Sequence, residues 1–181
     1  YPDADTRYDG ILVEGLAERI SQSDKNKVFI VLHTSTSHGP TYFKKYPREF
    51  ETFTPVCTTV EMAEADHDEL INAYDNTILY TDYLLHRVID ELRKLDGWRS
   101  TMLFVSDHGE SLGEKGLYLH GVPYAIAPAE QTSVPMVMWF SRHFVLDRGL
   151  DTRCLAQRAR QRTDHDVLFS SVLGLLQVAT S

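Results

Sequence analysis

Five apolar residues without alternation, Val28-Phe29-Ile30-Val31-Leu32, end directly in the polar loop His33-Thr34-Ser35-Thr36-Ser37-His38-Gly39-Pro40. An apolar run of that length with no polar face predicts a strand covered on both sides, the kind found in parallel sheets. The same arrangement recurs at Thr101–Val105, which runs into Ser106-Asp107-His108-Gly109-Glu110, and Val134–Phe140 reads as a third strand. Between the first two, Leu70, Ile71, Tyr74, Ile78, Leu84, Leu85, Val88 and Leu92 return every three or four positions, which predicts a long helix over Asp68–Leu95. Asp66 or Asp68 is placed to cap its start and Gly97 to follow its end.

Strand, long helix, strand, loop, strand is the alternation of an α/β domain with a mainly parallel sheet flanked by helices. Three strands are few for such a sheet, so the reading expects an incomplete one, with further strands outside these residues. A shorter helical pattern covers Gly10–Ile20, and a last helix is expected through Val167, Leu168, Val172 and Leu175, capped by Thr163 or Asp164. The stretch from His33 to His67 is long and broken by Pro40, Pro47 and Pro55; a connection of that length is often functional. The opening, Tyr1–Asp5, reads as an acidic turn, and no segment has the length or apolarity of a signal peptide or a bilayer span.

The loops after the first two strands carry the chemistry. Sites in open α/β sheets form at the carboxyl ends of strands. Asp107 and His108 offer an oxygen and a nitrogen ligand, a pair suited to zinc or another divalent transition metal. His38, held between Ser37 and the Gly39-Pro40 turn, is the positioned residue of the other loop. His120 follows shortly after Asp107 across a glycine-containing segment able to fold back as a rim. His33 is open between a site residue and a core histidine. The hydroxyls Thr34 to Ser37 are open between substrate contacts and turn formation. Glu110 and Glu114 are the acidic residues nearest the expected metal. His67, His86, His143 and His165 have no such context.

With 26 acidic and 18 basic residues the formal net charge is −8, which argues against sequence-independent nucleic-acid binding. A bound divalent cation reverses the local potential, so a small phosphorylated substrate stays open. Cys57 and Cys154 match no local zinc spacing, and a bridge and two separate thiols both remain open.

Several segments together resemble the lipid A phosphoethanolamine transferases, including the mobile colistin-resistance enzymes, of the alkaline phosphatase and sulfatase group. They are HTSTSHGPTYFKKYP at His33–Pro47, AYDNTILYTDYLL at Ala73–Leu85, SDHGESLGEKGLYLHGVPYAIAP at Ser106–Pro128, VPMVMW at Val134–Trp139 and DVLFSSVLGLLQV at Asp166–Val178. The resemblance implies that residues 1–181 are the carboxyl-terminal portion of a periplasmic catalytic domain, with an inner-membrane domain and an upstream catalytic part elsewhere. It implies zinc as cofactor, phosphatidylethanolamine as donor, a lipid A phosphate as acceptor and a phosphothreonine-type intermediate. By similarity Asp107 and His108 are metal ligands, while His38 and His120 are catalytic, contacting the substrate phosphate or a second metal. The family's glutamate ligand and threonine nucleophile have no counterpart in this chain. Cys57 stands at the first cysteine of a short family disulfide, with no second cysteine before Cys154. Two alternatives stand beside the transferase. One is a phosphodiesterase, phosphatase or sulfatase of the same group; the other is a non-catalytic binding fragment.

Overall fold

A computed structural model describes residues 8–178, so the turn read at Tyr1–Asp5 lies outside the described residues. The element that organises them is a 27-residue helix, His67–Arg93, here α2. Its start is fixed by Asp66, whose Oδ1 accepts the free N–H groups of Asp68 (3.0 Å) and Glu69 (3.1 Å). Gly97, in the turn beyond its end, has the left-handed φ of +73° that glycine accepts without strain.

Leu70, Ala73, Asn76, Thr77, Tyr80 and Leu84 form the buried stripe of α2, and the core is strung along it in three patches. Tyr42, Cys57, Met62 and Leu112 pack around Leu70 and Ala73. Val13 and Tyr46 pack with Tyr80 and Leu84. Leu16 and Ile20 of the short helix α1 (Leu16–Ser21) meet Leu95. The pattern over Gly10–Ile20 thus resolves into a 3₁₀ turn, Asp9–Leu12, and α1.

The irregular stretch between His33 and His67 is ordered by side chains where a sheet would have used backbone. Asn76, fully buried on α2, accepts from Thr52 N–H and Phe53 N–H (both 2.9 Å) and donates to Phe53 O (2.9 Å) and the Tyr46 hydroxyl (3.3 Å). One amide thereby satisfies backbone groups that would otherwise be costly to bury.

The expected parallel sheet is not what forms. The described residues are mainly helical, 46% helix against 8% strand, with two small antiparallel sheets. Thr101–Val105 (β1) pairs antiparallel with Met136–Phe140 (β4), from Val105 opposite Met136 to Thr101 opposite Phe140. Ser111–Leu112 (β2) pairs with Tyr118–Leu119 (β3). The physical reason lies in the connection. Residues 106–135 hold the β2–β3 hairpin with a 3₁₀ turn, Glu114–Gly116, at its tip and the one-turn helix α3 (Ala129–Thr132), so the chain re-enters the sheet at the end where it left. A parallel return needs a crossover to the opposite end. Val28–Leu32 forms no strand and pairs with none among the described residues, and Phe29 and Val31 are 61% and 73% exposed.

Three further helices follow β4: α4 (Arg142–Arg148), capped by Ser141, α5 (Thr152–Arg158), capped by Asp151, and the expected last helix α6 (Asp166–Leu176). His165 stands at the first position before α6 without a side-chain bond to it, and Asp164 Oδ1 accepts from Asp166 N–H (3.1 Å), so Asp164 supplies the expected cap. Among the described residues no helix is long and apolar enough to cross a membrane. Cys57 is buried, Cys154 exposed, and both are free thiols.

Candidate metal centre

Antiparallel return of the chain keeps everything between β1 and β4 at the carboxyl end of β1. The turn Ser106–Gly109 is held there by Ser106 Oγ donating to His108 O (2.7 Å), Gly109 N–H donating to Gln131 O (3.0 Å) and Asp107 Oδ1 accepting from His108 N–H (3.1 Å). Gly109 is needed for proximity, not for a left-handed φ: a Cβ there would lie 1.8 Å from the Glu130 carbonyl oxygen. His165, in no recognisable motif, reaches across from the start of α6, its Nε2 2.9 Å from Ser106 O.

The His33–Pro40 loop arrives from the other side with a different set of supports. Asp9 Oδ2 accepts from Ser35 N–H and Thr36 Oγ1 (both 2.6 Å), and Ser37 Oγ lies 3.2 Å from Thr81 Oγ1 of α2. The hydroxyls of Thr36 and Ser37 are thus engaged in holding the loop. Gly39 is again a close-approach position, since a Cβ would sit 2.4 Å from Leu119 Cδ2 and 2.7 Å from the Tyr42 hydroxyl.

The two loops and the β2–β3 hairpin bring His38, His108 and His120 together. One ring nitrogen from each lies within 4.8 Å of the others. Ring centroids are 3.8 Å apart for His108 and His120, 4.9 Å for His38 and His120, and 5.7 Å for His38 and His108. Each Nδ1 faces an acceptor: Gly39 O for His38 (2.8 Å), Gly109 O for His108 (3.0 Å) and Glu110 Oε1 for His120 (3.2 Å). A carbonyl oxygen only accepts, so His38 and His108 carry their proton on Nδ1 and keep the Nε2 lone pair free. Three imidazoles with Nδ1 committed are the donor set of a divalent transition metal such as zinc, with the supporting acceptors such a site requires.

Asp107 is placed at the edge of this group. Its side chain is 83% exposed, with Oδ1 3.9 Å from His108 Nε2. His33 lies outside the cluster on the wall of a cleft of about 1430 Å³ between the Val28–Leu32 segment and β1. Glu114 accepts from Leu112 N–H (2.7 Å) and so braces the hairpin, away from the three rings.

Glu110 is what sequence reasoning underread. It is buried, and its carboxylate takes contacts from Gly39 N–H (3.3 Å), the Tyr42 hydroxyl (3.3 Å) and His120 Nδ1 (3.2 Å). Burial, and then the Glu110 charge beside it, push the Tyr42 phenol well above its ordinary value, so it stays protonated and donates. The available signal was a carboxylate two positions after a histidine ligand candidate, at the start of a strand.

The sulfatase family model matches residues 1–178. The chain belongs to the sulfatase family, in its phosphoethanolamine transferase branch. It is 46% identical over 175 residues to phosphoethanolamine transferase EptA of Escherichia coli strain K12, covering 96% of this chain and 32% of that protein. It is 48% identical over 170 residues to phosphatidylethanolamine transferase Mcr-2 of Escherichia coli, covering 93% of this chain and 30% of that protein. The soluble domain of lipooligosaccharide phosphoethanolamine transferase A from Neisseria meningitidis superposes with a TM-score of 0.88 at 48% identity, over 93% of this chain and 51% of that one. The chain thus spans about a third of the length of the curated relatives it matches.

Proposed function

We propose that this chain carries the histidine side of a zinc-dependent phosphoethanolamine transferase acting at the bacterial inner membrane, with its catalytic domain in the periplasm. The donor is phosphatidylethanolamine and the acceptor a lipid A phosphate. The observation that carries the reading is the convergence of His38, His108 and His120, in a chain nearly half identical to proteins named for this transfer. Residues 1–181 are read as the carboxyl-terminal portion of the catalytic domain.

Asp107 and His108 are assigned as metal ligands, with His38 and His120 turned to the same ion, a second ion or the substrate phosphate. When bound, zinc supplies Lewis-acid neutralisation of charge on a phosphoryl oxygen. The protein's own contribution is orientation. With Nδ1 held by an acceptor, each imidazole can address the cleft only through Nε2, as a lone-pair donor when neutral and an N–H donor to a phosphate oxygen when protonated. Asp107, exposed beside His108, adds negative charge and an oxygen donor on the open flank. The remaining ligand and a threonine nucleophile are assigned to the part of the relatives' length that this chain does not span; the threonine oxygen bonds to phosphorus as the P–O bond to diacylglycerol breaks and diacylglycerol leaves, and the acceptor phosphate then displaces the threonine.

The test uses the whole protein. Asp107→Ala and His108→Ala are expected to lose bound zinc by elemental analysis and to lose transfer together. Full zinc occupancy in either variant refutes the ligand assignment. Measuring product with and without lipid A separates the transferase from a hydrolase, because a hydrolase turns over its donor in water alone.

A further inference from the structure

We infer that Glu110 is a positioning residue that sets the tautomer and aim of His120 and ties the His38 loop to the same point. The inference rests on the reading of the three histidines as a metal-binding group.

The three rings are not supported alike. His38 and His108 each use the carbonyl of the next residue, Gly39 O and Gly109 O, so their orientation is a local property of each turn. His120 has no such carbonyl; its Nδ1 is met by a side chain ten positions earlier in sequence. Leu119, just before it, has a left-handed φ of +62°, a conformation that costs an ordinary residue about 1–2 kcal/mol. That backbone turn directs His120 back over β2 toward Glu110. Such local strain persists only where surrounding contacts over-determine it.

Glu110 Oε1 already accepts Gly39 N–H when it meets His120, and Oε2 accepts the Tyr42 hydroxyl. Its oxygens are therefore acceptors, and the imidazole must be the donor, protonated on Nδ1 with Nε2 free. Gly39 is the residue after His38, so one buried carboxylate fixes two of the three rings, one directly and one through its neighbour's amide. Its side chain is only 4% exposed, so these contacts are made out of reach of bulk solvent. A glutamine is the conservative replacement: its Oε1 can keep Gly39 and His120, while its amide donates to the Tyr42 oxygen.

The test is NMR of the whole protein with isotope-labelled histidine, read for ring tautomers without metal, together with zinc affinity by chelator competition. The wild type is expected to show His120 with its proton on Nδ1; a proton on Nε2 overturns the inference without any variant. Glu110→Ala is expected to give mixed tautomers at His120 and to weaken zinc by about 10- to 100-fold, the usual effect of removing a ligand's supporting partner. His108, held by its own carbonyl, keeps its tautomer and reports that the fold is intact. Glu110→Gln is expected to restore the His120 tautomer and bring zinc affinity to within a few-fold of wild type. An unchanged tautomer in Glu110→Ala, or no recovery in Glu110→Gln, overturns the inference. Wild-type protein that orders His120 as described yet binds no zinc supports the role of Glu110 and refutes the metal reading.

Discussion

The two apolar runs that precede the histidine loops look alike in sequence and behave differently in the structure. Thr101–Val105 is paired along its length with Met136–Phe140, and the loop after it inherits a fixed origin. Val28–Leu32 has no strand partner among the described residues, and its loop is held by Asp9, by Thr81 and by the Gly39–Glu110 contact. Whether an apolar run becomes a strand is decided by its neighbours, whereas the loop it feeds can be fixed independently by side chains. The site tolerates an unpaired segment because each loop brings its own anchors.

The largest test of this contrast is activity. If the unpaired segment marks where other strands belong, the 181-residue chain alone has no phosphoethanolamine transfer, and the same chain mixed with the remainder of the protein recovers it. A fluorescent phosphatidylethanolamine and lipid A provide the assay. Zinc-dependent transfer by the isolated chain would show that nothing essential lies outside it.

Stability gives the next contrast. Met102 in β1 is buried, so Met102→Ala is expected to cost about 2–5 kcal/mol in the chain and in the whole protein alike. Val31, largely exposed here, is expected to cost within about 0.5 kcal/mol on Val31→Ala in the chain. In the whole protein, where the segment is expected to be covered, the same change should cost about 0.5–1.5 kcal/mol or more, the scale for losing buried methyls. Urea midpoints measure both. Equal values for Val31→Ala in the two backgrounds would mean that the segment stays unpaired in the complete molecule.

How much of this was readable follows the same division. α2, its Asp66 cap, β1, β4 and α6 are local patterns, and each is recovered within a few residues of its expected place. Sheet direction is not local. Pairing of Val105 with Met136 depends on how residues 106–135 return, and apolar runs carry no sign of it. The neighbourhood of His38, His108 and His120 was suggested by loops following apolar runs, although the parallel sheet used to connect them was wrong. Glu110 and Asp9 were harder, because a carboxylate that supports a turn or a ring has no pattern of its own in one sequence.

The anchors themselves can be compared. Asp9→Ala removes an acceptor of two charge-assisted hydrogen bonds and should destabilise by about 1–3 kcal/mol, since among the described residues no other side chain bonds the Thr36 hydroxyl. Ser106→Ala removes one bond from a turn that β1, β4 and α3 already hold, and should cost about 0.5–1.5 kcal/mol. Hydrogen exchange should then quicken at Ser35–His38 in the first variant while staying nearly unchanged at Asp107–Gly109 in the second. The reverse ranking would place the stronger constraint on the unpaired side.

The smallest effect joins the two loops through Tyr42, which sits under Gly39 and donates to Glu110. Its phenol is raised, first by burial and then by the Glu110 carboxylate, whereas in the unfolded chain it titrates near its ordinary value of 10.0. Above that pH the unfolded state loses the proton and the folded state keeps it, so the folded state binds more protons and stability falls as pH rises. The contribution is complete below about pH 10 and declines above it, by up to about 1.4 kcal/mol per pH unit for one tyrosine. Tyr46, Tyr74 and Tyr80 are raised by burial in the same direction and steepen the alkaline limb further. Tyr42→Phe should therefore be less stable than wild type at neutral pH, by about 0.5–1.5 kcal/mol for the lost hydrogen bond, and should lose stability more slowly in alkali. The gap between the two proteins should narrow from about pH 9 to about pH 11, measured by urea midpoints at each pH. A gap that stays constant across that range would mean that Tyr42 ionises as freely in the folded protein as in the unfolded one, and that the hydroxyl does not link the two loops.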